Sequence, residues 1–212
     1  MWSSEQRSNW TRALAEYENA QKINADRAES HVNLGVLYLE LDQPEKAETA
    51  YQRALEIAPS FLSAYINLAD LYRLLNRDQE GEVLLRTALE INNDSADVHH
   101  ALGLLLARLK RLPEALLFLE RAVQLQPGQA RYSYVLGVAL QSAGQSERAL
   151  GILGEAQKQH PHDRDILISL VMYNRNKGNL VAAIEFAEKL LNISPQDPGA
   201  RQLLEELRSR TR

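Results

Sequence analysis

Residues 28 to 61 read AESHVNLGVLYLELDQPEKAETAYQRALEIAPSF, and the way this stretch divides decides the fold. Val32, Leu34, Val36, Leu37 and Leu41 return to apolar faces at helical rather than alternating period, which predicts a helix, A, over about Ala28 to Leu41. A second helix, B, is predicted from Pro44 to about Ala58, because a Pro in the first turn gives up no N–H that the helix would have used. Asp42 lies at the turn between them. Neither helix can bury its apolar stripe alone, so the hairpin needs neighbours of its own kind.

Those neighbours are written downstream. His31, Leu34, Gly35, Tyr38, Ala47, Tyr51, Ala54 and Pro59 have counterparts at a fixed interval of 34 residues. The interval divides the chain into repeats 28–61, 62–95, 96–129, 130–163 and 164–197, followed by a capping helix over 198–212 with Leu203, Leu204 and Leu207 on one side. The 62–95 repeat is the most degenerate of the middle ones, with Gly81 in place of Ala and Asn93 in place of Pro. The 164–197 repeat carries Val171 where the others carry Gly or Ala, so looser helix packing is expected there. The counterparts of Asp42 are Asn76, Lys110, Gly144 and Gly178, and four of these five residue types tolerate a left-handed backbone. In TRALAEYENAQKINA (11–25), Ala13, Tyr17 and Ala20 keep the spacing of Ala47, Tyr51 and Ala54. Residues 1–27 are therefore read as a half-repeat, the second helix of a preceding unit, either capped by a short irregular N-terminal segment or, the favoured reading, cut from a longer protein within a repeat.

Small residues at Gly35, Ala69, Gly103 and Gly137 are expected to face Ala47, Gly81, Ala115 and Ala149 of helix B, so that the two backbones approach to the short end of about 8–10 Å. Tyr38, Tyr51, Tyr72, Leu119 and Leu140 then fill the gap to the next repeat. Replacing Ala122 by Leu would overpack such a site at a cost of about 1–3 kcal/mol.

This pattern resembles the tetratricopeptide repeat, a helix-turn-helix unit of 34 residues. The resemblance implies an all-α fold, a right-handed α–α superhelix of stacked antiparallel helix pairs whose concave wall is built mostly from helix A. It also assigns a binding groove to particular helix A positions. Carried onto this sequence these are Val32, Asn33 and Val36; then Ile66, Asn67, Asp70 and Arg73; then Asp97, His100, Leu104 and Arg108. The fourth repeat supplies Arg131, Tyr134 and Val138, and the fifth Asp165, Ile168, Met172 and Arg175. Apolar residues bordered by Asn and Arg suit an extended peptide or an amphipathic helix. Asn33 and Asn67 are similar to two rungs of the asparagine ladder in O-linked N-acetylglucosamine transferase, but the next rungs are Ala101, Val135 and Ser169. Family members that hold a chaperone's C-terminal carboxylate need a Lys/Asn pair where this chain has Val32 and Val36, and bases where it has Asp97 and Ala101. Binding of a heat-shock-protein tail by that mode is not expected.

Composition narrows the function further. Apolar residues make up 45% and charged ones 25%, with 7 Pro and 10 Gly, so the chain can bury a core. A net charge of −4 argues against wrapping a nucleic-acid backbone. Cys is absent, which excludes disulfides and thiolate chemistry. MWSSEQRSNW has no apolar h-region, and no stretch approaches the roughly 18 apolar residues of a spanning helix, so membrane insertion is not expected.

No catalytic centre convenes. GxSxG, HExxH, GxxxxGK[ST] and GxGxxG are all missing, and the acids are dispersed as on a solvated helical surface. Of the five His, His99 and His100 are adjacent and point to different sides of a helix, while His31 and His99 occupy a position that the family fills with a packed residue. His160 and His162 flank Pro161 in a turn. With no i, i+4 His pair and no Cys, no metal site and no cofactor are expected. Asn9-Trp10-Thr11 and Asn93-Asp94-Ser95 fit the glycosylation tripeptide, a pattern short enough to arise by chance.

The sequence therefore reads as a non-catalytic protein–protein interaction scaffold that binds a peptide or partner protein in its groove. Self-assembly into homo-oligomers and service as a docking domain of a larger enzyme are the rival readings. HHALGLLLARLKRLPEAL and RDILISL resemble the C-terminal repeat arrays of bacterial multihaem cytochromes c, although no CxxCH motif occurs. That resemblance implies a periplasmic location; without it a cytoplasmic one is expected.

Overall fold

In the computed structural model, the structure describes residues 11–12, 14–16 and 27–210. Eleven helices run from residue 28 to residue 209, and no strand occurs among the described residues. They are α1 (Ala28–Glu40), α2 (Pro44–Ile57), α3 (Leu62–Leu74), α4 (Asp78–Ile91), α5 (Ala96–Arg108), α6 (Leu112–Leu125), α7 (Ala130–Ser142), α8 (Ser146–Gln159), α9 (Arg164–Asn176), α10 (Leu180–Ile193) and α11 (Pro198–Ser209). Odd-numbered helices up to α9 are the A helices and even-numbered ones the B helices. Residues 11–12 and 14–16 are also helical, and Leu14 packs with Leu34, Leu37 and Ala50. Ala13, Tyr17 and Ala20, on which the half-repeat rests, lie outside the described residues, as do Trp2 and Trp10.

Two compact units are distinguished, Met1–Leu105 and Leu106–Arg212. In the first, α1 packs on α2, α2 on α3 and α3 on α4, while α1 also touches α3. In the second, α6 through α11 pack in chain order, and α7 touches α9. Each unit is thus a stack of antiparallel hairpins in which successive A helices lie side by side. None of the described helices is long and apolar enough to cross a membrane.

The hairpin turns are built alike. Asp42, Asn76, Lys110, Gly144 and Gly178 all have positive φ, between 58° and 81°. In each turn the next residue donates its N–H to the carbonyl five residues back: Gln43 to Tyr38, Arg77 to Tyr72, Arg111 to Leu106, Gln145 to Leu140 and Asn179 to Asn174. The left-handed residue itself donates three back, as Asp42 does to Leu39. This pair of bonds is the Schellman closure of a helix C-terminus. Lys110 adopts it without the freedom of Gly or the side-chain tolerance of Asn or Asp, at a cost of about 1–2 kcal/mol.

Inside the hairpins the expected opposition of small residues takes a more specific form. A Cβ added at Gly35 would collide with the Tyr51 ring at its Cε1 edge, and one added at Gly137 would sit 2.7 Å from Leu153 Cγ. The eighth residue of the repeat is therefore small because the twenty-fourth, on helix B, lies across it. Tyr51 fills its own hairpin as well as touching the cluster of Leu68, Leu71 and Tyr72 in the next. Gly81, by contrast, faces the backbone of Ala69, as the sequence implied.

Looser packing at Val171 does not occur. Val171 and Ala187 are both fully buried in one cluster with Ala183, Leu204 and Leu207. The twenty-fourth residue there is Ala187, so the volume has moved from helix B to helix A.

Turns between hairpins carry their own lock. Tyr65 Oη donates to the Pro59 carbonyl at 3.0 Å, and the His99 ring N–H donates to the Asn93 carbonyl at 2.8 Å, from the same repeat position. His99 thus has a structural role, as does His160, whose ring N–H donates to the Gly128 carbonyl at 2.9 Å. The last helix is capped by Asp197, which accepts from the Gly199 and Ala200 N–H groups and pairs with Arg164.

Candidate functional site

The A helices present one face toward neighbouring hairpins and another toward solvent, and the ninth residue of each repeat lies on the latter. Val36 is 40% exposed, Leu104 37% and Val138 36%. Asp70 occupies the same position in α3, also exposed, and Met172 occupies it in α9, half-buried. Exposed apolar side chains recurring at one register are a pattern that scattered surface residues do not make.

The other groove positions fall into three depths. Asn33, Asp97, Arg108, Arg131 and Asp165 are exposed. Ile66, Asn67, Arg73, Tyr134, Ile168 and Arg175 are half-buried. Val32 and His100 are closed off at 8% each, and these two are corrections to the sequence reading. Val32 packs with Ala47, Tyr51, Ala54 and Ala64, so at the fifth position of the first repeat the side chain belongs to the core.

Polar groups of the first unit's face are partly committed within their own helices. Asn67 donates its side-chain amide to the Ser63 carbonyl at 2.8 Å. Asp70 pairs with Arg73 at 2.9 Å, an exposed i, i+3 contact that a ligand could exchange at little cost. Behind this face lies Tyr51, whose hydroxyl is buried and has no hydrogen-bond partner among the described residues. Burial, with a further contribution from the Asp70 charge, pushes its phenol up to about 12. Leu74, four residues beyond Asp70 on α3, is 56% exposed and extends the apolar character of this face; the spacing from Asp70 would have placed it there, but the groove positions assigned by resemblance did not include it.

In the second unit Tyr134 packs against the cluster of Leu153, Ala156, Ile166 and Leu170 together with Tyr173. Burial, and then the nearby Tyr134, raise the Tyr173 phenol above its ordinary value, opposed by a hydrogen bond with Ser169. Arg175 reaches Glu206 at 3.8 Å. Among the described residues no group of three or more His, Asp or Glu could hold a metal ion. These faces offer apolar rests, amide groups, carboxylates and guanidinium groups.

Four family models, each described as a tetratricopeptide repeat, match residues 28–61, 62–95, 96–129 and 134–198, which together make up well over half of the chain. No curated protein matches. Among solved structures, PilW, a widely conserved type IV pilus biogenesis factor, is similar at 21% identity and a TM-score of 0.77, over 94% of this chain and 93% of its own. The pilF protein of Pseudomonas aeruginosa is 22% identical with a TM-score of 0.74, over 86% of this chain and 83% of that one. YrrB, a TPR protein with an unusual peptide-binding site, is 24% identical with a TM-score of 0.64, over 91% and 97%. At these identities the likeness concerns the fold.

Proposed function

Because this chain belongs to the tetratricopeptide repeat family and is on that ground a protein–protein interaction scaffold, we propose that it binds a peptide or an exposed segment of a partner along the solvent face of its A helices. The repeats 28–61, 62–95, 96–129, 130–163 and 164–197 each contribute one such face. The observation that carries this reading is the recurrence of an exposed apolar side chain at one repeat position, Val36 and Leu104 in the first unit and Val138 in the second. An apolar side chain held about one-third exposed on a rigid helix loses little entropy when a partner covers it, and covering it removes apolar area from water. The peptide-binding site of YrrB adds support by likeness of fold.

The reading has a direct test. Peptides selected from a random display library against the whole chain are titrated against a variant carrying Val36→Ser and Val138→Ser. Binding about tenfold weaker or worse, with an unchanged melting temperature, is the expected result. Undiminished binding by the folded variant would place the ligand elsewhere.

A further inference from the structure

The chain as a whole is acidic, with a net charge of −4, yet its A helices do not share that charge evenly. In the first unit, α1, α3 and residues 96–105 of α5 carry Glu29, Glu40, Asp70 and Asp97 against Arg73. In the second unit the sign reverses: residues 106–108 of α5 with α7 and α9 carry Arg108, Arg131, Arg164 and Arg175 against Asp165. Four bases stand against one acid on the A helices of one unit of an acidic protein.

Neighbouring acids neutralise part of this. Arg164 is held by Asp197 at 2.5 Å. Arg175 meets Glu206 only at 3.8 Å, and Glu206 is shared with Arg210 at 2.8 Å. Arg131 is exposed and pairs with no carboxylate among the described residues. On α7, Arg131, Tyr134 and Val138 are spaced i, i+3, i+7, which sets them on one stripe; on α9, Asp165, Ile168, Met172 and Arg175 repeat that stripe, and α9 lies against α7. Each stripe thus has apolar or aromatic residues in its middle, with Arg131 at the N-terminal end of α7 and Arg175 at the C-terminal end of α9, where the one acid, Asp165, occupies the N-terminal end. Arg presents a planar fork that matches a carboxylate in two parallel hydrogen bonds.

Resting on the reading of the A-helix face given above, we propose that the second unit receives an acidic amphipathic segment of a partner protein, with apolar side chains on Tyr134, Val138, Ile168 and Met172 and carboxylates on Arg131 and Arg175. Charge complementarity selects this occupant over a basic one. Because the rest of the chain is acidic, the attraction is local and decays within a Debye length, so it governs approach and choice of partner more than final affinity.

The test uses three labelled peptides with the same Leu spacing and either Asp and Glu, Ser and Gln, or Lys and Arg between the leucines, titrated against the whole chain by fluorescence anisotropy at low and high salt. The acidic peptide is expected to bind about tenfold tighter than the basic one at low salt, with the margin narrowing at high salt. Arg131→Glu should erase about threefold to tenfold of that preference while leaving the uncharged peptide unaffected. Lys158→Glu, on the B helix α8, should leave all three unchanged. Equal binding of the three peptides, or a preference for the basic one, would overturn the charge assignment and leave the A-helix face standing. Binding of none would overturn both. If the chain instead gains mass with concentration at low salt and the acidic peptide fails to reverse it, the occupant is a second copy of the chain and the assignment is wrong.

Discussion

The first and fifth hairpins solve the same packing problem with their volumes exchanged. In the first, Gly35 on α1 gives way to the ring of Tyr51 on α2; in the fifth, Val171 on α9 fills the space that Ala187 on α10 leaves. Tyr51, Val171 and Ala187 are all fully buried, so neither arrangement is the looser. The contrast teaches that the repeat constrains the summed volume of its eighth and twenty-fourth residues, not the size of either. Interiors packed to crystal density respond to volume wherever it is attached.

The sharpest way to break this comparison is to give both helices of the first hairpin bulk. Gly35→Val should destabilise the protein by about 3 kcal/mol in urea unfolding, since its Cβ has no room beside Tyr51. Adding Tyr51→Ala should cost less than the sum of the two single changes, because each removes the other's clash or cavity. Additive losses would mean that the two positions are not coupled.

The reciprocal experiment in the fifth hairpin carries a smaller effect. Val171→Gly should cost about 2–3 kcal/mol through lost burial and helix propensity. Val171→Gly with Ala187→Leu, which copies the Gly137 and Leu153 arrangement of the fourth hairpin, should recover about 1 kcal/mol or more of it. No recovery would show that neighbours such as Leu204 and Leu207, and not the paired position, fix the volume of Val171.

Tyr51→Phe separates volume from polarity. The hydroxyl is buried without a partner among the described residues, so its removal should be neutral or stabilising by up to about 1 kcal/mol. The native phenol titrates near 12, above its ordinary range, so the unfolded chain releases that proton first. The raised group's contribution is intact below the unfolded value of about 10 and is lost as pH climbs through the folded one. Stability followed from pH 9 upward should fall more steeply in the native protein than in Tyr51→Phe; parallel curves would assign the alkaline loss to other groups.

The smallest effects lie in the hairpin turns, where the third and fourth form a natural pair. Lys110 and Gly144 share the left-handed geometry, with φ of 61° and 74°. Lys110→Gly should stabilise by about 0.5–1 kcal/mol, the relief of left-handed strain less the entropy that Gly brings to the unfolded chain. Gly144→Ala should destabilise by about the same amount. Two shifts in thermal midpoint of the same sign would contradict the shared geometry.

Much of the fold could be read in advance because repetition tests each assignment several times. Helix bounds expected at Ala28–Leu41 and Pro44–Ala58 are observed at Ala28–Glu40 and Pro44–Ile57. Asp42, Asn76, Gly144 and Gly178 announced left-handed turns by residue type, and Lys110 could be placed among them by register alone. Val171 misleads when read without Ala187, sixteen residues on, because the two positions share one volume.

The candidate site was less legible. Register says which stripe of a helix a residue lies on, but not how deep the adjacent hairpin buries it, and so Val32 and His100 were placed on a wall from which packing withdraws them. The unpartnered hydroxyl of Tyr51 carries no sequence signal at all, since an aromatic residue at that position reads as core.

The central claim is that partners meet the A helices and not the B helices. A photo-crosslinking residue placed at Val138 on α7, and in a separate variant at Leu117 on α6, compares two exposed apolar positions of one unit. Irradiation with a selected peptide ligand should give a covalent adduct from position 138 and none from position 117. An adduct from 117 alone would contradict the account.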